Sequence, residues 1–357
     1  METIRVSLGR DSYPIHVSRS GDDWASPLSA FLMERPPVIL TNAKVRKLCG
    51  PALERRLSAQ KIKPKYLLLP DGERFKNIAT VARAYHGLVK LGVDRGTPIL
   101  LLGGGVLGDL GGFVAATYLR GLSFVHVGTT LVAQVDSSIG GKLGFDLAEG
   151  KNLVGVFGQP KFVLSHVPFL KTLPRREILG GLGEVVKYGV IADPKILEIA
   201  LEQREKILKG NEEVLFEIVC RSSAIKARVV SEDEKESSLR MILNFGHTFG
   251  HAIERLTRYR KYHHGEAIGI GMSIAAKLSS RLGFCGLEDA ETLVKSIASA
   301  GLPTEAPAFP DAQWVRALEV DKKSRGGKIY FVFMKKIGEV CVSPFAAPDL
   351  VKAMNRK

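Results

Sequence analysis

Ile99-Leu100-Leu101-Leu102-Gly103-Gly104-Gly105-Val106-Leu107-Gly108-Asp109 is the stretch on which the fold turns. Four apolar residues run into three glycines and then into a helix start. A continuous apolar run of this length suits a strand buried on both faces, as in a parallel sheet. Glycines let the backbone approach a pyrophosphate, and the helix N-terminus behind them offers unpaired N–H groups to its charge. A plain tight strand-to-helix turn is the competing reading.

The same texture repeats outward from there. Val38-Ile39-Leu40, Tyr66-Leu67-Leu68-Leu69 and Phe124-Val125-His126-Val127 are short apolar runs closed by Gly, Pro, Asp or Thr. They read as further buried strands. From about Ile78 to Leu91 the residues Val81, Tyr85, Leu88 and Leu91 share one helical face. At the start, Ile4-Val6-Leu8 and Ile15-Val17 alternate with period two around Asp11-Ser12, an opening hairpin. Strand–helix alternation predicts an α/β domain with a mainly parallel sheet. After Thr172-Leu173-Pro174 the pattern changes, and from Arg175 to about Ala300 nearly everything favours helix, with stops at Gly210, Gly283 and Gly301. A late hairpin follows, Lys328 to Phe333 and Glu339 to Val342, turned by Lys336-Ile337-Gly338. The reading is therefore an α/β domain over residues 1–174 and a mostly helical one over 175–357, with the ligand cleft between them.

Composition narrows the function. The 357 residues suit about two domains. The formal charge of +14 admits nucleic acid, an acidic membrane or small polyanions as partners. The cations are scattered, however, and Lys61-Ile62-Lys63-Pro64-Lys65 is the densest stretch, so no nucleic-acid partner is expected. Cys49, Cys220, Cys285 and Cys341 lie 171, 65 and 56 residues apart, which is neither a zinc-finger nor a disulfide pattern and suits a reducing cytoplasm. Met1-Glu2-Thr3-Ile4-Arg5 lacks the apolar core of a signal peptide, and the most apolar region, Pro98 to Ala116, is broken by glycines and Asp109. No membrane partner is expected.

Three further groups could carry chemistry. Val135-Asp136-Ser137-Ser138-Ile139-Gly140-Gly141-Lys142, followed by Gly150-Lys151-Asn152, sets two lysines among glycines as a phosphate pocket needs. It fails Walker A spacing, and a flexible surface loop is the alternative. Asn244-Phe245-Gly246-His247-Thr248-Phe249-Gly250-His251-Ala252-Ile253-Glu254 reads as a helix on which His247 and His251, four apart, share a face and could both bind zinc. His263-His264-Gly265-Glu266 follows, and Glu184-Val185-Val186-Lys187 stands on an earlier helix. Two histidines with one glutamate would leave metal positions open to substrate. Lys226, Arg228, Arg240, Lys322 and Lys323 are dispersed cations that would ordinarily be solvated.

At these residues the sequence resembles the 3-dehydroquinate synthases of the shikimate pathway over nearly the whole chain. The likeness is most specific at Pro70-Asp71-Gly72-Glu73, Gly103 to Asp109, Tyr118-Leu119-Arg120-Gly121, Gln134 to Lys142, Gly150 to Asn152, Leu182 to Lys187, Leu243 to Glu254 and His264-Gly265-Glu266. The resemblance implies a Rossmann-like NAD-binding domain, a helical domain, one divalent zinc or cobalt ion, and a homodimer. The metal ligands it implies are Glu184, His247 and His264, with His251 turned to substrate instead. NAD is implied at Asn42; at Asp71, Gly72, Glu73 and Lys76; at Gly104, Gly105, Val106, Gly108 and Asp109; at Thr129 and Thr130; and at Asp136, Lys142, Lys151 and Thr172. Substrate is implied at Arg120, Asp136, Lys142, Asn152, Lys187, Lys226, Arg240, Asn244, His251 and one of Lys322 and Lys323, with Lys142, Lys187, Asn244 and His251 as the catalytic set.

The implied substrate, 3-deoxy-D-arabino-heptulosonate 7-phosphate, carries a carboxylate and a phosphate, so it needs a cationic site. NAD would take hydride from the carbon-5 hydroxyl, phosphate would leave by elimination, NADH would return the hydride, and ring opening with aldol closure would give 3-dehydroquinate. Arg120, Lys142, Asn152 and His251 are assigned to the phosphate, Lys226, Arg240 and the late lysine to the carboxylate, and Lys187 and Asn244 to the hydroxyls near the metal. Gly128, Leu143, Phe145, Asp146 and Gly183 depart from the family's usual residues, and none removes a ligand or charged contact. A sister sugar-phosphate cyclase acting on a neutral-headed sugar would have no use for the carboxylate clamp. A metal-dependent polyol dehydrogenase would release NADH each turnover, and an inactive binding protein would be expected to have lost a ligand or a lysine.

Overall fold

The chain divides into two units, Met1–Pro174 with Gly210–Ser231, and Arg175–Lys209 with Glu232–Lys357. The computed structural model describes residues 1–33, 35–319, 324–325 and 328–355. Lys322 and Lys323 lie outside the described residues. The first unit holds strands β1 (Glu2–Val6), β2 (Tyr13–Ser18), β3 (Val38–Thr41), β4 (Lys65–Leu68), β5 (Ile99–Gly103), β6 (Phe124–Gly128), β7 (Lys142–Leu147), β8 (Gly150–Phe157) and β9 (Val163–His166). Its helices are α1 (Ser26–Leu32), α2 (Ala43–Ser58), α3 (Ile78–Lys90) and α4 (Gly105–Thr117).

Seven strands form one sheet in the order β1-β2-β9-β6-β5-β3-β4, parallel except for the β1–β2 hairpin at one edge. The apolar run chosen from the sequence is β5, near its middle. Period-two geometry sends its side chains to opposite faces. Leu101 joins Leu40, Val81, Leu88, Val114 and Phe145 on one face. Leu100 and Leu102 join Ile39, Leu53, Leu57, Val125 and Phe169 on the other. Covering both faces is what makes the strands uniformly apolar.

The β7–β8 hairpin stands where the alternative reading of this stretch placed a flexible surface loop. Lys142 pairs with Phe157 and Phe145 with Val154 in an antiparallel ladder, with an irregularity between Phe145 and Leu147. Leu143 and Phe145 are buried in the α4 side of the core, which accounts for their apolar character.

The second unit is helical: α5 (Arg175–Ile191), α6 (Pro194–Glu202), α7 (Arg204–Leu208), then α9 (His247–Leu256), α10 (His264–Arg281), α11 (Leu287–Ser299), α12 (Asp311–Glu319) and α13 (Ala347–Asn355). Strand β10 (Ser324–Arg325) and the late hairpin, β11 (Lys328–Lys336) with β12 (Glu339–Phe345), complete it. The intervening helix α8 (Glu212–Glu232) falls almost wholly with the first unit rather than with the helical half. Gly283 and Gly301 follow α10 and α11 at left-handed φ of +78° and +89°, the conformation that stops a helix. Among the described residues no helix is long and apolar enough to cross a membrane.

Two sheet histidines should make this fold acid-sensitive. His126 in β6 is 3% exposed, and burial pushes it down to about 4; His166 in β9 is likewise lowered to about 4, chiefly by burial. Both rings fold neutral and charge more readily in the unfolded chain. Their contribution is therefore present above about pH 6.5 and lost as pH falls toward 4, at roughly 3 kcal/mol each. Urea midpoints measured from pH 7 to 4 should fall steeply, and His126→Gln should flatten that slope.

Candidate active site

The chain leaves β3 for β4 on one side, then returns to β5 on the other, so the carboxyl ends of β3 and β5 form a topological switch point. Asn42, directly after β3, caps α2 by accepting Val45 N–H at 2.8 Å, and its Nδ2 donates to Asp71 Oδ1 at 3.1 Å. Gly104 and Gly105 follow β5. A Cβ on Gly104 would stand 2.9 Å from Thr130 Cγ2, and one on Gly105 would stand 3.0 Å from Ser137 Oγ. Close approach rather than backbone dihedral therefore requires these glycines. Thr129 and Thr130 follow β6, and Thr172 ends the 3-10 turn after β9. The residues expected to meet NAD from Asn42 to Thr130 thus line one edge of the sheet, around a glycine backbone cradle packed against Thr130 and Ser137.

Behind the cradle stands a buried charge network. Lys76, 3% exposed, donates to Asp109 Oδ2 and to Asn152 Oδ1, both at 2.6 Å. Burial works against its charge, but Asp109 and then Glu73 hold its ammonium above the ordinary lysine range. Lys151 pairs with Glu73 at 3.2 Å. Asp146 accepts Asn152 N–H at 2.8 Å, holding a residue that takes a left-handed φ of +51°. Arg120 is exposed in a turn where Leu119 and Arg120 both take left-handed φ, +52° and +70°. Lys226 on α8 donates to the Asp136 carbonyl at 2.7 Å and to its carboxylate.

In the second unit, glycines bring three helices into backbone contact. A Cβ on Gly265 of α10 would lie 1.8 Å from Gly180 O of α5, and one on Gly271 would lie 2.0 Å from Gly246 O beside α9. Gly183 faces Gly265 in the same crossing, its Cβ position 2.7 Å from Gly265 O. Gly246, at φ +78°, starts α9 at His247, so the helix expected over Asn244–Glu254 is instead a 3-10 turn, Leu239–Asn244, and a true helix from His247.

These crossings converge Glu184, His247 and His264. Glu184 is fully buried; its Oε1 lies 3.1 Å from His264 Nε2 and 3.3 Å from His247 Nε2, while Oε2 pairs with buried Lys187. His247 Nδ1 donates to Phe245 O at 3.1 Å, which leaves Nε2 as the inward lone pair. His264 Nδ1 lies 3.3 Å from Glu254 Oε1, the partner that orients this ring. Burial, above all, pushes His247 down to about 4 and so keeps it neutral. On His264 burial is outweighed by Glu254 and Glu184, which raise it to about 10. Burial drives Glu184 toward its neutral acid, yet Lys187 and His247 hold its carboxyl well below the usual range. One carboxylate oxygen and two imidazole nitrogens within 4.8 Å suit a divalent ion of the zinc or cobalt type. His251, Glu254 and His264 make a second such group that shares His264. Gly265→Ala should cost stability near the upper end of ~1–3 kcal/mol and weaken zinc binding together, read by thermal unfolding and zinc titration.

The remaining expected substrate contacts in this unit are also built in. Arg240 is 2% exposed and donates from Nη1 to Glu234 O. Asn244 Nδ2 donates to Glu236 Oε1. The sequence reading gave no role to Glu254, Glu236 or Asp146, each of which holds another residue of the site.

Solved structures share this architecture. The 2-epi-5-epi-valiolone synthase of Streptomyces hygroscopicus, solved with NAD+ and Zn2+ bound, matches with a TM-score of 0.87 and 24% identity over 95% of each chain. A 2-deoxy-scyllo-inosose synthase complexed with carbaglucose-6-phosphate, NAD+ and Co2+ matches with a TM-score of 0.86 and 23% identity over 99% of each. The chain has the fold that these two synthases share. The sequence is more specific: the family 3-dehydroquinate synthase N-terminal matches residues 66–180, and 3-dehydroquinate synthase C-terminal matches residues 181–324. A 3-dehydroquinate synthase of Citrifermentans bemidjiense is 45% identical over 338 residues, 94% of this chain and 93% of its own. The chain belongs to the 3-dehydroquinate synthase family.

Proposed function

We propose that this protein converts 3-deoxy-D-arabino-heptulosonate 7-phosphate to 3-dehydroquinate and phosphate, without net oxidation, in the cytoplasm and as a homodimer with no nucleic-acid or membrane partner. The observation that carries the reading is the 45% identity along 94% of the chain. The carboxylate–imidazole cluster and the glycine cradle support it. A zinc or cobalt ion on Glu184, His247 and His264 would supply Lewis acidity toward a substrate hydroxyl, and NAD at the cradle a reversible hydride acceptor.

The chain's own side chains supply binding and orientation. Arg120, Lys142, Asn152 and His251 hold the phosphate, whose departure as a dianion their donors favour. Lys226 and Arg240, with one of Lys322 and Lys323, hold the carboxylate. Lys187 donates from Nζ and Asn244 from Nδ2 to the ring hydroxyls. Asn42, Asp71, Gly72, Glu73, Lys76, Asp109, Asp136, Lys151 and Thr172 position the dinucleotide with the backbone of Gly104, Gly105, Val106 and Gly108.

The deciding experiment is phosphate release with NAD and zinc, comparing the heptulosonate phosphate with sedoheptulose 7-phosphate and glucose 6-phosphate. Release from the first alone, without NADH accumulating, is expected. A site built to pair a charged group rejects an analogue lacking it by ~10⁴-fold. Equal or preferred turnover of a neutral-headed sugar would move the protein to a sister cyclase, and accumulating NADH would make it a dehydrogenase.

A further inference from the structure

Between α8 and the 3-10 turn Leu239–Asn244, residues 233–240 fold around one carboxylate. Asp233 is 6% exposed. Its Oδ1 accepts Ser237 N–H at 2.9 Å and the Ser237 hydroxyl at 3.0 Å. Its Oδ2 accepts Ser238 N–H at 2.7 Å and Arg240 N–H at 3.0 Å, with the Ser238 hydroxyl more distant at 3.4 Å. A carboxylate offers about four acceptor positions, so this one is saturated. The chain reaches that closure through Glu236 at φ +57°, a conformation that a residue with a side chain adopts only when its surroundings dictate it.

The loop grips Arg240 at both ends. Asp233 holds the main-chain N–H of Arg240, and the carbonyl of Glu234, one residue further on, accepts from its guanidinium. The same loop, through Glu236, holds the Asn244 amide. Neither a surface turn nor a helix end requires a buried acid with donors from three positions of one loop, Ser237, Ser238 and Arg240. The arrangement makes sense if the direction of the Arg240 side chain must be fixed before a ligand arrives, because a preset donor loses little freedom on binding.

We propose that Asp233 is a positioning residue for the substrate carboxylate, acting through Arg240. The inference rests on the reading of Arg240 given under Proposed function. It assigns Asp233 no contact with substrate, and it separates this aspartate from those of the first unit, which stand beside the cofactor cradle.

Asp233→Asn is the near-isosteric test. Its amide would turn N–H donors toward either Ser237 or Ser238 and Arg240, so the loop could not close in the same way. The expected result is a KM for the heptulosonate phosphate raised about ten- to a hundredfold, of the order a misplaced group costs, with zinc content and NAD affinity unchanged. Arg240→Ala should raise KM at least as far, and the Asp233→Asn/Arg240→Ala double variant should be no worse than Arg240→Ala alone. If Asp233→Asn does not fold, Asp233→Ser, whose hydroxyl can accept one of the N–H groups, is read in the same cycle. Multiplying effects in the double variant, or a lowered Tm with KM at the wild-type value, would overturn the inference while wild-type turnover and the Arg240→Ala defect keep the functional reading. A wild-type protein that releases no phosphate from the heptulosonate phosphate overturns that reading, and this inference with it.

Discussion

Glu184→Gln will bind zinc at least about a hundredfold more weakly than the wild type. The expectation is built from where the carboxylate stands. Glu184 is fully buried, lies within 3.3 Å of both imidazole nitrogens, and is paired on its other oxygen with Lys187, itself 1% exposed. Glutamine keeps the shape and one oxygen but removes the only negative charge among the three candidate ligands. It also leaves the Lys187 ammonium buried without its anion, so the metal-free protein should lose roughly 3–5 kcal/mol of stability. Glu254→Gln provides the scale. Glu254 lies outside the Glu184–His247–His264 group and holds His264, and loss of such a partner typically costs ~10–100-fold in metal affinity. The ranking, with Glu184→Gln worse than Glu254→Gln, is measured by competition with a zinc chelator. Wild-type affinity in Glu184→Gln would remove Glu184 from the metal site.

The same cluster marks the limit of what spacing alone could give. His247 and His251 are four apart, and a helical face does bring them together, with ring centroids 5.4 Å apart. Spacing cannot show that the chain after Leu256 doubles back through Arg258 and Tyr259, both at left-handed φ, to return His264 to the same place. Nor can it show that a glycine crossing brings Glu184 there from 80 residues upstream. Only the family resemblance named that trio in advance. The parallel strands were legible because burial on both faces leaves an uninterrupted apolar run. The β7–β8 hairpin was not, because Gly144 and Gly155 interrupt its alternation, and they are glycine for a reason local to the ladder. A Cβ on either would stand 2.4 Å from a carbonyl of the facing strand. The helical character of α8 was equally legible, but its grouping with the α/β unit depends on contacts such as Ser223 with Gln134 and Lys226 with Asp136. Nothing in a helical period records such contacts.

That last pair gives the other large effect. Lys226→Met should destabilise the protein by about 3 kcal/mol, the lower end of the ~3–5 kcal/mol seen when a buried pair loses one partner. The lower end applies because the Asp136 side chain keeps 18% of its exposure while that of Lys226 keeps 8%. Asp136 sits in the π-helical turn Ala133–Ser137, the stretch that carries the chain from the β6 side of the cradle toward Lys142. Losing the cation there leaves a carboxylate facing the hydrophobic stem of Met. Stability and substrate binding can then be separated. In Asp136→Asn/Lys226→Met the stranded charge is gone, so the urea midpoint should recover most of its loss. If Lys226 holds the substrate carboxylate as proposed, the KM for the heptulosonate phosphate should stay raised, because no neutral side chain can replace that ammonium. Recovery of both would confine Lys226 to holding the turn. Recovery of the midpoint alone means that one ammonium serves two anions, Asp136 in the empty protein and the substrate once it binds.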